Sequence, residues 1–442
     1  MKVLKFGGTS VGSPERMHRV AELVTQSSEP KIVVLSAVSG TTNTLVQIGK
    51  ALQLKQVDEA NRLTTDLKEH YNSFCLGLLA EKSARKESKA ILESHFEILS
   101  AIIQNPFSAD AEKEILAQGE LLSTKLFTAY LKSQGMPAVL LPALEFMRID
   151  ANQEPDEAFT QERLKALLDQ YSDTKLFITQ GYICLNSQNQ IDNLQRGGSD
   201  YTASLIGAAV KAEEIQIWTD IDGMHNNDPR IVKRTFRIDR LSFDEAAELA
   251  YFGAKILHPF TIRPAQRANI PVRLLNTMDA QAPGTLISDH QEDRPITAVA
   301  AKDGITAIKI KSSRMLLAYG FLRKVFEVFE KYKTSIDLIT TSEVGISLTI
   351  DDQQYLSDIL QELETYGQVE VDSNHTIVCV VGNMPFQKVG VLKKIVDAID
   401  DIPIRMLSYG GSRFNISLLI DNQYKVETLN RLNEHIFTFP NQ

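Results

Sequence analysis

Short apolar runs alternate with amphipathic stretches over the first part of the chain. Helical stretches such as 15–26 and 201–211 separate these runs. Continuous apolar runs divided by helices are typical of a parallel sheet that is covered on both faces. The pattern therefore predicts an α/β, three-layer sandwich with a mostly parallel sheet. Its strands are expected at Val3–Phe6, Ile32–Leu35, Ala138–Leu141, Leu176–Thr179 and Ile215–Thr219.

The stretch from Leu45 to Leu131 breaks this alternation. It is charged, poor in glycine and helical in period, as in residues 60–67 and 84–92. It predicts a helical excursion over one end of the sheet. Its charged positions indicate solvated helix faces, and the excursion could equally help to close a pocket. The segment Gly119-Glu-Leu-Leu-Ser-Thr-Lys125 is expected to open a helix.

A polar, turn-rich segment at 281–295 marks a domain boundary. Beyond it, strands and helices follow one another in the order of a ferredoxin-like βαββαβ module, and the order occurs twice. We therefore expect a first domain at 1–290 and a second region at 296–442, and paired modules of this kind at a C-terminus are typically regulatory or dimerising. The region would hold two modules, at about 303–372 and 373–442, and the two modules could exchange their terminal strands.

Composition narrows the class of protein. With 442 residues, 23% charged residues and 43% hydrophobic residues, the chain has the make-up of a globular protein. A net charge of −9 speaks against nucleic acid as a partner. Three dispersed cysteines and the absence of a long apolar run favour a reducing, cytoplasmic location away from membranes.

A glycine-rich turn follows the first apolar run without a linker. Gly7 and Gly8 let the backbone approach an anion closely, and Thr9 and Ser10 add hydroxyl donors. Lys5 can place a positive charge on the same oxygens. The turn is neither a G-x-x-x-x-G-K-[ST] nor a G-x-G-x-x-G motif. By itself it indicates a phosphate site only weakly, because such turns commonly just reverse the chain.

Further motifs strengthen the interpretation of this turn as part of a phosphate site. They include Ser36-Ala-Val-Ser-Gly-Thr-Thr-Asn43, Arg196-Gly-Gly-Ser-Asp200 before a helix, Trp218-Thr-Asp220, Asp228-Pro-Arg230 and Phe252-Gly-Ala-Lys-Ile-Leu-His-Pro259. With Lys5-Phe-Gly-Gly-Thr-Ser-Val11, these motifs resemble those of aspartate kinases in the amino-acid kinase family. The resemblance covers essentially the whole chain, and the C-terminal pair resembles ACT domains. It implies phosphorylation of the side-chain carboxylate of L-aspartate by Mg-ATP, without a tightly bound cofactor.

The chemistry of such a kinase fits these residue types. A substrate carboxylate is already ionised at neutral pH, so the reaction needs positioning and cations rather than a general base. We expect Lys5 and Lys255 to supply the charge, and the resemblance implies that Asp200 organises them. No protein ligand for a metal is predicted, and Mg²⁺ is expected to arrive with ATP.

The resemblance also assigns the binding residues. Arg196 matches the residue that takes the α-carboxylate of aspartate, and Glu120 matches the partner of its α-ammonium. The remaining residues of the aspartate pocket are Thr42, Tyr182, Gly197, Gly198 and Ser199. The nucleotide is expected to contact Lys5, Gly7, Gly8, Thr9, Ser10, Thr219, Asp220, His225, Arg230, Lys255 and Ile256.

One turn departs from the family pattern. Ile191-Asp-Asn-Leu-Gln195 stands where the family has a threonine-rich turn and a glycine. Asp192 is expected to put a negative charge near the phosphates, with altered ATP affinity or a slower rate as the consequence. An active kinase is the favoured interpretation. The alternatives are another amino-acid kinase, such as a glutamate kinase, and a catalytically weak or silent amino-acid sensor.

The first C-terminal module resembles that of lysine-inhibited aspartate kinases. Backbone amides at 320–322 open a helix and can take a carboxylate, while Asp337 and Glu343 can take ammonium groups. Ala318 stands where the family often has serine. We expect inhibition by lysine through a homodimer built from these modules. The predicted lysine site comprises Met315, Ala318, Gly320, Phe321, Leu322, Asp337, Ser342, Glu343 and Val344.

Overall fold

The structure is a computed structural model that describes residues 1–194, 197–253, 259–292, 294–312, 319–385 and 387–437. Contacts within it divide the chain into two compact units. The first unit comprises Met1–Met224, Asp239–Phe243 and Ile256–His290, and the second comprises His225–Ile238, Asp244–Lys255 and Gln291–Gln442, as far as these ranges are described. The second unit therefore includes two segments from the middle of the sequence, which a linear reading of the chain did not anticipate.

An eight-stranded sheet forms the centre of the first unit, in the order β3-β4-β2-β1-β7-β9-β10-β8. Its neighbouring strands are parallel except for β9 and β10. The α/β fold with a mostly parallel sheet is thus confirmed. The strands are β1 Lys2–Phe6, β2 Lys31–Leu35, β3 Val139–Leu141, β4 Leu176–Gln180, β7 Ile215–Thr219, β8 Arg240–Ser242, β9 Val272–Asn276 and β10 Thr285–Ser288, and a separate hairpin joins β5 Ile183–Leu185 to β6 Ile191–Asn193.

The helices of the first unit follow the sequence signals for helix ends. Ser13 and Ser108 cap α1 and α5, where each hydroxyl accepts a hydrogen bond from the amide three residues on. Helices α2 to α5 form the predicted helical excursion and share a hydrophobic core with β1 and β2. The helices are α1 Pro14–Thr25, α2 Thr41–Gln53, α3 Val57–Leu78, α4 Lys82–Gln104, α5 Ala109–Ser133, α6 Glu157–Asp169, α7 Gly198–Val210 and α9 Arg263–Arg267.

The expected helix start at Gly119 is wrong. Residues 119 and 120 lie in the middle of α5, which begins at Ala109 after the Ser108 cap. Glycine is needed there, because a Cβ on Gly119 would lie only 2.8 Å from the Cβ of Ala37. The glycine therefore allows α5 to approach the segment after β2 closely, and it brings the next side chain, Glu120, to that segment.

A six-stranded antiparallel sheet forms the centre of the second unit, in the order β12-β13-β11-β14-β16-β15. Its two central strands, β11 and β14, are each 14 residues long. Two separate hydrophobic clusters pack on the sheet, one with α10 and α11 and one with α12 and α13. The strands are β11 Ala298–Lys311, β12 Ile339–Thr341, β13 Gly345–Ile350, β14 Gln368–Val381, β15 Ile404–Ser408 and β16 Asn415–Asp421, and the helices are α8 Phe243–Tyr251, α10 Phe321–Lys331, α11 Leu356–Leu363, α12 Val391–Ala398 and α13 Lys425–Ile436.

The central strands serve both halves of this sheet. The later part of β11 pairs with β13, and the later part of β14 pairs with β16, while β11 and β14 pair with each other along most of their length. The division into modules at 303–372 and 373–442 remains a prediction. Among the described residues, no helix combines the length and the apolar character needed to cross a bilayer.

Candidate active site

Lys5 and Asp200 meet at the end of β1. Lys5 Nζ lies 2.6 Å from Asp200 Oδ1, and the two side chains are only 13% and 15% exposed. Asp200 stands in the first turn of α7, which begins next to Gly197 in the left-handed conformation at φ 76°. A Cβ on Gly7 would lie 3.3 Å from Lys5 Nζ, so the glycine leaves room for the ammonium beside the turn. The contact supports the organising role proposed for Asp200.

The glycine-rich turn is closed by its own residues. The amides of Ser10 and Val11 donate to the Gly7 carbonyl at 2.9 and 3.2 Å. The Ser10 hydroxyl is buried, lies 2.7 Å from the Thr277 hydroxyl and donates to the Trp218 carbonyl at 3.3 Å. The Ser10 hydroxyl thus joins the turn to the ends of β7 and β9, whereas Thr9 is exposed.

Arg16 was not singled out from the sequence, although it lies beside this turn. Its Nη1 donates to the Thr9 carbonyl at 2.5 Å. The signal that could have found it is the Ser13 cap, because Arg16 is the residue whose amide the cap accepts. A guanidinium at this position adds a second positive charge next to the turn, after Lys5.

Glu120, the acid of the predicted aspartate pocket, is deeply buried. Its Oε1 accepts a hydrogen bond from the Ala37 amide at 3.2 Å, and its Oε2 is buried with no hydrogen-bond partner among the residues that the structure describes. Burial raises the pKa of Glu120 to about 7, against the opposing effect of the Ala37 amide. A buried carboxylate with one unpartnered oxygen is suited to receive an ammonium group.

Tyr182 and Ser199 lie close to each other at the start of α7. A Cβ on Gly198 would come within 2.2 Å of the Tyr182 ring, and a Cβ on Gly181 would come within 2.4 Å of Ser199 Oγ. Ser199 Oγ accepts a hydrogen bond from Ser36 Oγ at 3.0 Å. The glycines are therefore required for this close packing.

The segment after β2 connects these residues to α5. The Ser36 carbonyl accepts from Ser123 in α5, at 2.8 Å, and the next amide, that of Ala37, donates to Glu120. The Ser36 hydroxyl donates to Ser199 in α7. Ser36 therefore contacts both helices, and Ala37 contacts α5. The structure thus brings Lys5, Asp200, Ser199, Tyr182 and Glu120 to neighbouring positions, while Thr42 is exposed in the first turn of α2.

Asp192 does not stand as the uncompensated negative charge that the sequence suggested. Its Oδ2 lies 2.6 Å from Nζ of Lys113, on α5, and its side chain is 9% exposed. Asp192 nevertheless acts on its surroundings. Burial first, and then the negative charges of Glu120 and Asp192, raise the pKa of Tyr182 to about 12. The charge of Asp192 is therefore felt at the predicted aspartate pocket, and Lys113 balances it.

The predicted nucleotide residues are spread over both units. Thr219 and Asp220 follow β7 in the first unit, and the Thr219 hydroxyl donates to Asp220 at 3.1 Å. His225 and Arg230 belong to the second unit, where His225 Nδ1 lies 3.1 Å from the Thr235 hydroxyl. The Arg230 guanidinium is 79% exposed and pairs with Asp228. Arg196, Lys255 and Ile256 lie outside the described residues.

The predicted lysine site is described in part. Gly320 precedes α10 in the left-handed conformation at φ 81°, Phe321 is buried, and Leu322 is exposed. Ser342, Glu343 and Val344 form an exposed turn in which the Ser342 amide donates to the Gly345 carbonyl at 2.8 Å. The side chain of Asp337 is enclosed. Met315 and Ala318 lie outside the described residues.

Comparison with known proteins agrees with these features. The model of the amino acid kinase family matches residues 1–276, and a model of the ACT domain matches residues 378–436. The chain is 34% identical to the lysine-sensitive aspartokinase 3 of Escherichia coli, over 98% of this chain and 99% of that protein. It is 35% identical to the chloroplastic aspartokinase 3 of Arabidopsis thaliana, over 98% of this chain and 81% of that protein.

Solved structures agree as well. The E. coli aspartokinase III in complex with aspartate and ADP has a TM-score of 0.84 and 33% identity, covering 99% of this chain and 100% of that one. The same enzyme with lysine and aspartate has a TM-score of 0.81 at the same identity and coverage. The chain therefore belongs to the amino acid kinase family and, within it, to the aspartokinases. The resemblance seen in the sequence motifs is confirmed.

Proposed function

We propose that this chain transfers the γ-phosphoryl group of ATP to the side-chain carboxylate of L-aspartate. A carboxylate oxygen attacks the γ-phosphorus, the bond between that phosphorus and the β,γ-bridging oxygen breaks, and 4-phospho-L-aspartate and ADP result. No proton needs to move, because the attacking carboxylate is already ionised at neutral pH. Catalysis then consists of holding two anions together and stabilising the charge of the transferring group.

Lys5 provides the first of the cations for this step. Its ammonium is held by Asp200 at 2.6 Å, next to a turn in which two glycines allow close approach of a phosphate. Arg16 adds a guanidinium beside the same turn. Lys255 is proposed as the second lysine at the transferring group, on the basis of its motif. The Lys5–Asp200 pair is the observation that carries the proposal.

The aspartate substrate is proposed to lie between α5 and the start of α7. Its α-ammonium would pair with the free oxygen of Glu120, and its α-carboxylate with Arg196. Tyr182, Ser199 and Thr42 would complete the pocket, with the backbone at Gly197 and Gly198. The support is the unpartnered Oε2 of Glu120 and the contacts of Ser36 and Ala37 with both helices.

Mg²⁺ is proposed to enter as its complex with ATP. Asp200, the carboxylate beside the phosphate turn, is already paired with Lys5. Among the described residues no group of three or more His, Cys, Asp or Glu side chains is placed to hold a metal ion. The donor set therefore fits a metal held mainly by the phosphate oxygens of the nucleotide, where it would neutralise their charge.

The direct test is formation of an acyl phosphate from aspartate and ATP, trapped with hydroxylamine as the hydroxamate. We expect product with L-aspartate and far less with the longer L-glutamate, because the contacts of Ser36 and Ala37 with α5 and α7 would fix the length of the proposed pocket. Product with glutamate alone would indicate the rival amino-acid kinase. No product with either would favour the silent sensor, the alternative indicated by the altered turn at 192–195.

We propose that this chain is regulated by lysine, by analogy with the lysine-sensitive relative. We propose inhibition by lysine at the site around Asp337 and Glu343, a homodimer formed through the second unit, and a cytoplasmic location. The enclosed carboxylate of Asp337 and the exposed turn 342–344 support a ligand with ammonium groups. Titration of activity with L-lysine, with L-threonine as control, tests the inhibitor, and the molar mass in solution tests the dimer.

A further inference from the structure

The predicted effector residue Asp337 already holds an ammonium group of the chain itself. Nζ of Lys302, in β11, lies 2.7 Å from Asp337 Oδ1 and 2.8 Å from Asp351 Oδ2. The hydroxyl of Tyr251, the last residue of α8, donates to the same Asp337 Oδ1 at 2.8 Å. The Lys302 ammonium also lies 4.5 Å from the centre of the Tyr251 ring. We call Tyr251, Lys302, Asp337 and Asp351 the Asp337 cluster.

Among the described residues, the Asp337 cluster holds fewer cations than carboxylates. It contains two carboxylates and one ammonium group, so its formal charge is negative. The side chain of Asp337 is 0% exposed, and its Oδ2 is buried without a hydrogen-bond partner in the part of the chain that the structure describes. Burial raises the pKa of Asp337, and Lys302 opposes that rise. An enclosed carboxylate oxygen without a donor is unfavourable, and an ammonium group from a ligand would relieve it.

The cluster also lies on the segment that leads to Lys255. Gly253, two residues after Tyr251, has φ 136°, and a Cβ there would come within 2.3 Å of the Ala301 carbonyl oxygen. The chain therefore leaves α8 in tight contact with β11, at the residue next to Lys302. Lys255 follows Gly253 by two residues in the sequence. A change at Lys302 or Asp337 thus has a short physical route to Gly253 through Ala301 and Tyr251.

With the lysine site around Asp337 taken as proposed above, we propose that Lys302, on Asp337 Oδ1, positions this carboxylate for the effector ammonium, and that Tyr251 transmits the binding to the end of α8 and Gly253. Lys302 is a positioning residue, because it keeps the enclosed carboxylate ionised and oriented. The inference rests on the proposed inhibition by lysine and adds Lys302 and Tyr251 to it.

Three variants separate these roles. Lys302→Met should weaken binding of L-lysine by about tenfold or more, since the carboxylate loses its positioning charge, and Lys302→Arg should restore it. Tyr251→Phe keeps the ring and removes the hydroxyl, so it should bind lysine within about threefold of wild type yet show weaker inhibition. Lys425→Met is the matched control, because Lys425 has the same 18% exposure and pairs with Asp303, outside the cluster. It should change neither quantity.

The measurements are calorimetric titration with L-lysine and inhibition of hydroxamate formation, on full-length protein whose thermal unfolding has been checked. Tighter lysine binding by Lys302→Met would mean that Lys302 competes with the effector, and it would overturn the proposal. Full inhibition in Tyr251→Phe would overturn the transmission step, and it stays measurable if Lys302→Met does not fold. A wild-type protein that makes hydroxamate but binds no lysine would overturn this inference and leave the kinase assignment standing.

Discussion

The two units each contain a nearly buried lysine–aspartate pair of almost equal length, and the pairs differ in their surroundings. Lys5 and Asp200 are 2.6 Å apart beside a glycine-rich turn, and Lys5 has one carboxylate partner among the described residues. Lys302 and Asp337 are 2.7 Å apart, and Lys302 is shared with a second carboxylate. The first pair is neutral and lies beside a glycine-rich turn that leaves room for an anion at the Lys5 ammonium, whereas the second carries excess negative charge that suits a cation. The charge balance around a pair, rather than the pair itself, therefore indicates its ligand.

Replacing Lys5 should give the largest effect. Lys5→Ala removes a cation from the transferring phosphoryl group, so we expect the turnover number to fall by about 10²- to 10³-fold with a smaller change in the KM for aspartate. Steady-state kinetics of hydroxamate formation measures both. Lys2→Ala, in the same strand but paired with Glu29 at the surface, is the control and should keep wild-type turnover. Comparable turnover in Lys5→Ala would remove Lys5 from the mechanism.

Glu120→Gln should act on substrate binding instead. The amide keeps the size of the side chain and loses the charge that would pair with the substrate ammonium. We expect the affinity for aspartate to drop by about 10- to 100-fold and the affinity for ATP to stay nearly constant. Calorimetry with each ligand separates the two. An equal loss for both ligands would contradict the assignment of Glu120 to the aspartate pocket.

The pKa of Glu120, raised by burial to about 7, gives a pH dependence with a defined sign. The ionised form is required for the ammonium, so the KM for aspartate should rise as the pH falls below 7, by up to about tenfold per unit. Glu120→Gln should flatten this profile. Stability has the opposite sign, because the contribution of neutral Glu120 is complete below the ordinary value of 4.5 and is lost as the pH rises through about 7. An unchanged profile in the variant would assign the dependence to another group.

The Lys113–Asp192 pair should give the smallest effect. Lys113→Met leaves the Asp192 carboxylate uncompensated near Tyr182, so we expect KM values for both anionic substrates to rise by about threefold to tenfold. The double variant with Asp192→Asn should return close to wild type. Arg148→Met removes a pair of similar length, 2.7 Å, elsewhere in the same unit and is the control. If the double variant stays as impaired as Lys113→Met, the charge balance is not the cause.

Much of the fold could be read from the sequence, because buried parallel strands leave continuous apolar runs. As predicted, β2 and β4 are buried at every residue, and β1 is buried at three of its five residues. The first part of β14 is not indicated by the apolar pattern, because it consists of mostly exposed, polar residues. Such residues leave no apolar run. The start of α5 could have been found, since Ser108 is followed by acids in the first turn.

The site was predictable where its residues lie in motifs and not where they meet across the fold. Lys5, Asp200 and Glu120 were named from their motifs, and the structure supplied their contacts. The partner of Asp192 could not be named, because Lys113 precedes it by 79 residues. The same holds for Lys302 and Tyr251, whose contacts depend on the path of α8 past β11. A single sequence shows which charges exist, and only the fold shows which of them compensate each other.

The long strands β11 and β14 have a consequence for how the second unit melts. Each is 14 residues long and runs through both halves of the sheet, and their mutual pairing has register shifts between Lys302 and Ala307. One half cannot unfold without releasing strands that continue into the other half, so the six strands should lose their order together. Hydrogen exchange should accordingly show the amides at the two ends of β11 opening with one common free energy, as a single cooperative folding block.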